Sequence, residues 1–255
     1  PDNPDLLLVS CDMGGVYRSE DGGQHWTMIH ADQKLERMHL APKPVHLSKR
    51  IYWVTERNRV CFSDDRGGTW TAMPVGPWKK NILFTAAQEG EPDTLLVSSE
   101  TGLWLGRGPD WRCLGEAPGG PVLALGGTLY AVFPGGILHS SADSGATWQV
   151  SGDLQGEAVA LTGSISGTGE TARTMLLASV KGSGLKISED RGASWRLVKS
   201  PYENETALNI PPGQTNVMYA LQTGSVETAD LLRSRDGGKT WDNIFHMPRP
   251  GRQRG

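Results

Sequence analysis

The sequence has no apolar run long enough to cross a bilayer as a helix. Runs such as 6–9 and 175–178 stop after four residues, where a span needs about 20, so membrane insertion is not expected. Stretches rich in Ala, Glu, Lys and Leu at helical spacing are missing as well, which argues against a helical bundle. Cysteine is scarce: Cys11, Cys61 and Cys113 stand 50 and 52 residues apart, with no C-x-x-C pair and no His/Cys cluster. That composition predicts no metal site, and no cofactor is expected. The odd count leaves at least one thiol unpaired, so cysteine usage says nothing of the redox compartment. A formal net charge of −3 gives no global pull toward polyanions, and no nucleic-acid partner is expected. No export signal stands ahead of Pro1. The histidines form no triad with Asp and Ser: His25 holds a variable turn position, His30, His39 and His46 lie in loop-like segments, and His139 falls in a strand.

What the chain has is glycine, 33 in 255 residues, and one short motif repeated. Ser19-Glu20-Asp21-Gly22-Gly23-Gln24-His25-Trp26 returns as Ser63-Asp64-Asp65-Arg66-Gly67-Gly68-Thr69-Trp70 and as Ser141-Ala142-Asp143-Ser144-Gly145-Ala146-Thr147-Trp148. Two further copies run from Ser188 through Asp190 to Trp195 and from Ser234 through Asp236 to Trp241, so S-x-D-x-G-x-x-W holds five times. A sixth, worn copy ends at Trp111 and has lost the Ser and the Asp. The tryptophans at 26, 70, 111, 148, 195 and 241 are spaced by 44, 41, 37, 47 and 46 residues, the period of four-stranded propeller blades.

Each period reads as four short strands, as at 81–85, 94–98, 102–105 and 111–114. The fold expected is therefore all-β, a β-propeller of four-stranded antiparallel blades. One domain spans 1–255, with blades over 1–30, 31–76, 77–117, 118–152, 153–200 and 201–246 and a tail at 247–255. Six blades are expected, with seven as the alternative, because the first repeat opens on the turn at 1–5 and so lacks its inner strand.

The chemistry of the motif is that of a hairpin. An Asp carboxylate caps its own turn by accepting backbone N–H groups, Ser adds a local bond, and Gly supplies positive φ. The closing tryptophan is expected to bury its ring against the neighbouring sheet while its indole N–H finds a partner. Because equivalent turns stand on different blades, the acids cannot converge. Asp21, Asp65, Asp143, Asp190 and Asp236, with Trp26, Trp70, Trp148, Trp195 and Trp241, are accordingly structural, and no catalytic residue is assigned.

These residues resemble the Asp-box, or BNR, repeat of bacterial sialidases, sortilin-type receptors, xyloglucan hydrolases and photosystem II assembly-factor propellers. The repeat style is most similar to the assembly-factor and sortilin branch. That resemblance implies a propeller holding a protein partner or helping assemble a larger complex in a periplasmic or secreted setting. The Arg-Ile-Pro signature that a sialidase would carry is absent. The alternative is a carbohydrate-active propeller, a glycoside hydrolase or a glycan-binding module. A hydrolase of that kind needs two facing carboxylates, and Asp12, Glu56, Glu100, Glu203, Glu205 and Glu227 show no pairing in sequence.

The binding residues expected lie in two neighbouring loops. Thr55, Glu56, Arg57, Asn58 and Arg59 form a polar loop where other repeats have small residues, and Pro77, Trp78, Lys79 and Lys80 follow in the next connection. With Lys34, Arg37, Lys49 and Arg50 nearby in sequence, they describe a basic patch tipped by an exposed Trp78, suited to acidic protein surfaces or carboxylated ligands. Glu56, Arg57, Arg59, Trp78, Lys79 and Lys80 are the binding candidates.

Overall fold

The computed structural model describes residues 5–11, 15–29, 45–47, 49–55, 57–88, 94–107, 109–116, 119–198, 205–225 and 228–246. These form six antiparallel sheets in chain order. The first is β1 (Leu7–Cys11), β2 (Gly15–Ser19) and β3 (Thr27–Met28). The second is β4 (Val45–His46), β5 (Ile51–Val54), β6 (Val60–Ser63) and β7 (Thr71–Ala72). The third is β8 (Ile82–Gln88), β9 (Thr94–Ser99), β10 (Gly102–Arg107) and β11 (Asp110–Gly115). The fourth is β12 (Val122–Leu125), β13 (Thr128–Phe133), β14 (Ile137–Ser141) and β15 (Gln149–Asp153). The fifth is β16 (Ala158–Ser166), β17 (Arg173–Val180), β18 (Gly184–Ser188) and β19 (Arg196–Leu197). The sixth is β20 (Glu205–Asn209), β21 (Met218–Ser225), β22 (Thr228–Ser234) and β23 (Asp242–His246). Strand order within every sheet follows sequence order, and among the described residues no helix is present beyond two single 3-10 turns. This is the blade succession of a β-propeller, as the repeat period requires. Among the described residues the first sheet has three strands.

The chain divides into two compact units, Pro1–Gly127 and Thr128–Gly255. In the first, Ile51, Trp53, Cys61 and Trp70 of the second sheet bury themselves with Val16, and Leu6, Leu8 and Ile29 of the first sheet pack on them. A second cluster joins Tyr52, Val54, Val60 and Met73 to Ile82, Leu95 and Val97. In the second unit, Leu177, Leu185 and Ile187 pack against Leu208, Met218, Ala220 and Leu232. Each cluster takes one face from one sheet and the opposite face from the next. The central strands are therefore buried on both faces: β9 and β5 are buried at every position, and they read as apolar runs rather than alternating ones.

Candidate protein-binding face

The repeated acid turns come first, because they decide whether the five aspartates are a site. In the second sheet Ser63 Oγ donates to Asp65 Oδ1 at 2.8 Å and accepts Gly67 N–H at 2.7 Å. Asp65 also accepts Thr69 N–H at 2.8 Å and the Thr69 hydroxyl at 2.7 Å. The same pattern holds at Ser141, Asp143 and Thr147, at Ser188, Asp190 and Ser194, and at Ser234, Asp236 and Thr240. In the first sheet His25 takes the last place, its N–H on Asp21 Oδ1 at 2.9 Å and its Nδ1 at 2.6 Å from Oδ2. His25 is thus a capping partner, not a variable turn residue. The column before the tryptophan reads His, Thr, Thr, Ser, Thr, a donor in every copy, and that signal was there to be read.

These bonds hold the carboxylates ionised. The Ser194 hydroxyl and N–H draw Asp190 down to about 2. The Thr147 hydroxyl and N–H lower Asp143, the Thr240 pair lowers Asp236, and His25 N–H with the Ser19 hydroxyl lowers Asp21. At Asp65 burial opposes the shift most strongly, yet the Thr69 and Ser63 bonds still leave its pKa lowered.

In three copies the turn also seats its blade on the one before it. Two successive residues take positive φ, such as Arg191 at 61° and Gly192 at 95°, the left-handed pair of a type I′ turn. A Cβ added to Gly192 would lie 2.3 Å from Leu138 Cδ2 of the preceding sheet. At Gly238 it would lie 2.4 Å from Ile187 Cδ1, and at Gly67 3.0 Å from Leu8 Cδ2. Arg18 Nε in β2 donates to Arg66 O at 2.8 Å, and Arg196 Nη2 in β19 to Gly237 O at 3.2 Å. The acid is spent inside its own turn and the glycine on the neighbouring blade, which leaves neither for a ligand.

The tryptophans depart from expectation. Trp70 is 7% exposed but Trp26 is 42% exposed. The indole N–H donates to the turn's own glycine carbonyl at Trp26, Trp70 and Trp148. At Trp111, Trp195 and Trp241 it finds no acceptor among the described residues. Trp70, Trp111 and Trp241 still pack on core clusters shared by two sheets, so the expected packing fails only at the exposed Trp26 among these four. Trp111, without an acid turn, lies so close over Gly106 that a Cβ there would meet it at 2.3 Å.

Asn58 and the connection from Trp78 to Asn81 are joined by hydrogen bonds. Asn58 sits at φ 59°, a conformation asparagine tolerates because its side chain bonds locally. Its N–H reaches Thr55 O at 2.9 Å, and Thr55 N–H reaches Arg59 O at 2.8 Å. So placed, Asn58 binds across to the next connection on three atoms. Its Oδ1 accepts Ile82 N–H at 3.0 Å, its Nδ2 donates to Asn81 Oδ1 at 3.2 Å, and its carbonyl accepts Trp78 Nε1–H at 2.8 Å. Asn81 Nδ2 goes on to Glu100 Oε1 at 2.9 Å, and Lys79 N–H points to Thr101 Oγ1 at 3.4 Å. A relay of amides therefore ties three loops of adjacent blades together. Arg57, Lys79 and Lys80 stand exposed beside it, and Arg59 is half-buried with its Nε unpaired among the described residues.

Trp78 is not the exposed tip that its polar neighbours suggest. It is 7% exposed, meets Trp111 edge-on at 4.8 Å and 86°, and belongs to the core cluster with Tyr52 and Leu95. The indole drops inward because the Asn58 carbonyl offers its N–H an acceptor there. Arg50 also leaves the patch: it binds Asp64 through two nitrogens at 2.6 and 2.9 Å and lies 4.2 Å over Phe62. The Asp64 carboxylate raises its pKa above the ordinary arginine value. Lys49 is exposed, while Lys34, Arg37, Asp12, Glu56, Glu203 and Glu227 lie outside the described residues. Glu205 opens β20, and Glu100 is the acceptor in the relay. No group of three metal-ligating side chains gathers among the described residues. One histidine pair lies beyond the sequence reading: His246 Nδ1 stands 2.5 Å from Asp230 Oδ1, which also accepts Asn243 Nδ2 at 3.0 Å.

No protein-family model matches the sequence, and no curated protein matches it. Among solved structures the chain is similar to YCF48 from Cyanidioschyzon merolae, at 13% identity over 94% of this chain and 81% of that one, with a TM-score of 0.62. It is similar to YCF48 bound to D1 peptide, at 14% identity over 94% and 85%, with a TM-score of 0.58. It is also similar to the GH74 xyloglucanase from Xanthomonas campestris, at 20% identity and a TM-score of 0.65, covering 96% of this chain but 44% of that one. At such identities the likenesses establish one thing, the fold: this chain is an all-β propeller.

Proposed function

We propose that the chain is a non-catalytic Asp-box propeller of the assembly-factor and sortilin style, which holds a protein partner through the loop cluster around Asn58. The observation that carries this reading is the relay from Asn58 through Asn81 to Glu100. It fixes three loops in one geometry with the exposed Lys79 and Lys80 on one of them. A rigid backbone bearing exposed positive charge suits an acidic, extended segment, for which electrostatic steering sets the on-rate. A structure of like fold, YCF48 bound to D1 peptide, holds a peptide. The aspartates that would tempt a catalytic reading are consumed in turn capping. We place the protein in a periplasmic or secreted compartment, which fractionation of cells expressing the full-length gene tests; a purely cytoplasmic product would count against it.

The binding role is tested with a panel of fluorescent acidic peptides and the variant Lys79→Glu/Lys80→Glu. Affinity should fall at least tenfold, roughly 1.4 kcal/mol, and the wild-type affinity should weaken as salt rises. Unchanged binding by the charge-reversed variant, or release of sugar from a xyloglucan or sialoglycan panel, would overturn the reading.

A further inference from the structure

The connection from β7 to β8 carries the most exposed large apolar side chain among the described residues, Val75, at 74%. Others of that kind, such as Val150, Leu197 and Phe245, belong to strands of their own sheets. Val75 lies instead in a loop that is fixed on both sides of it. Before it, Met73 is buried and its N–H reaches Val60 O at 2.8 Å. After it, Trp78 is buried in the same core cluster, with its indole N–H on the Asn58 carbonyl at 2.8 Å. The indole covers Gly76 so closely that a Cβ there would lie 2.1 Å from the ring, and Pro74 and Pro77 each hold one φ angle fixed. Burying a valine is favourable in itself, yet a loop tied down at Met73, Gly76 and Trp78 holds this one out in solvent. Pro74, Val75 and Pro77 thus form an exposed apolar row, followed in the same connection by the exposed Lys79 and Lys80.

We propose that this loop determines which acidic segment the protein accepts: Val75, with Pro74 and Pro77 beside it, receives an aliphatic side chain of the partner, while Lys79 and Lys80 meet the acids that flank that side chain. The inference rests on the binding role proposed above and names the chemistry of the partner, an acidic segment interrupted by leucine or isoleucine rather than an acidic tract alone. The lysines steer the encounter but discriminate little, since any run of carboxylates satisfies them. The apolar contact discriminates, because the loop needs no reordering to make it and a polar residue in that place would leave the valine surface unpaired. Trp78 acts here as a positioning residue. Folded over Gly76 and bound to Asn58, it sets the height at which Val75 is presented without itself touching the partner.

The probes are two fluorescent peptides of equal charge, a run of Asp and Glu with two central leucines and a twin with both leucines replaced by serine. The leucine peptide should bind the 255-residue chain about tenfold more tightly than its twin, the scale of one aliphatic side chain removed from water. In Val75→Ser the two peptides should bind alike, with the thermal midpoint preserved because the side chain is exposed. Lys79→Glu/Lys80→Glu should weaken both. Equal binding of the two peptides by the wild type, or a leucine preference that survives Val75→Ser, overturns the inference while leaving the acidic-segment reading in place. Full binding of both peptides by the charge-reversed variant, or binding of neither by the wild type, overturns that reading and the inference with it.

Discussion

Replacing Gly192 by Ala separates the two duties assigned to the turn glycine. The residue sits at φ 95°, and its Cβ would fall 2.3 Å from Leu138 Cδ2. Leu138 is wholly buried, so its methyl has little room to retreat. Gly135, in the β13–β14 hairpin of that same sheet, has a similar φ of 84° but nothing within 4 Å of its added Cβ. Left-handed strain alone costs about 1 kcal/mol, and overpacking a core contact adds about 1–3 kcal/mol. Gly135→Ala should therefore lose about 1 kcal/mol and Gly192→Ala about 2–4 kcal/mol. In a chain of this size that separates the melting midpoints by several degrees, at roughly 2–4 °C per kcal/mol. The neighbouring position should respond in the opposite sense. Arg191 holds φ 61° without being glycine, and Arg191→Gly should gain about 0.5 kcal/mol, relief of strain partly offset by a looser unfolded chain. Urea unfolding followed by tryptophan fluorescence measures all three. Equal losses at Gly135 and Gly192 would refute the idea that the turn glycine is where one blade rests on the next.

Acid should act on the same turns. Asp190 has a folded pKa of about 2 against 3.8, and Asp21, Asp65, Asp143 and Asp236 are lowered too. A depressed carboxylate stabilises above its unfolded pKa and ceases to do so as pH falls through the folded one. Urea midpoints should thus be level from pH 7 to 5 and drop between about pH 4 and 2; a level profile down to pH 2.5 would contradict the capping account. Trp78→Ala should cost about 3–5 kcal/mol as a truncated core aromatic, and Trp78→Phe less, chiefly the bond to the Asn58 carbonyl. Should Trp78→Ala melt like the wild type, the indole is not part of the core. A loss of partner binding in that variant reports misplacement of the Asn58 loop rather than a lost contact.

The blades were legible because their chemistry is local. Ser19, Asp21 and Gly23 make their bonds within eight residues, so the sequence window contains the whole cause. Trp78 was misplaced for the converse reason. Its neighbours are a turn-forming Pro77 and the charged Lys79 and Lys80, and the groups that draw it inward, the Asn58 carbonyl and the Trp111 ring, stand 20 and 33 residues away in the chain. Arg50 was counted as an open cation because its partner Asp64 is met only across the β5–β6 hairpin. The relay itself was invisible: nothing in the composition of Asn58, Asn81 and Glu100 announces that their amides and carboxylate will line up. His25 is the instructive miss, since aligning the copies in columns exposes a donor that no single copy reveals.

A turn that satisfies its own acid and rests on whatever aliphatic group precedes it contains no reference to how many copies the chain holds. Duplicating a stretch of some forty residues would duplicate its joint with it, and deleting one would leave the flanking joints intact. Copy number in such a protein is therefore free to drift through gene rearrangement, restrained only by what the first and last repeats must meet.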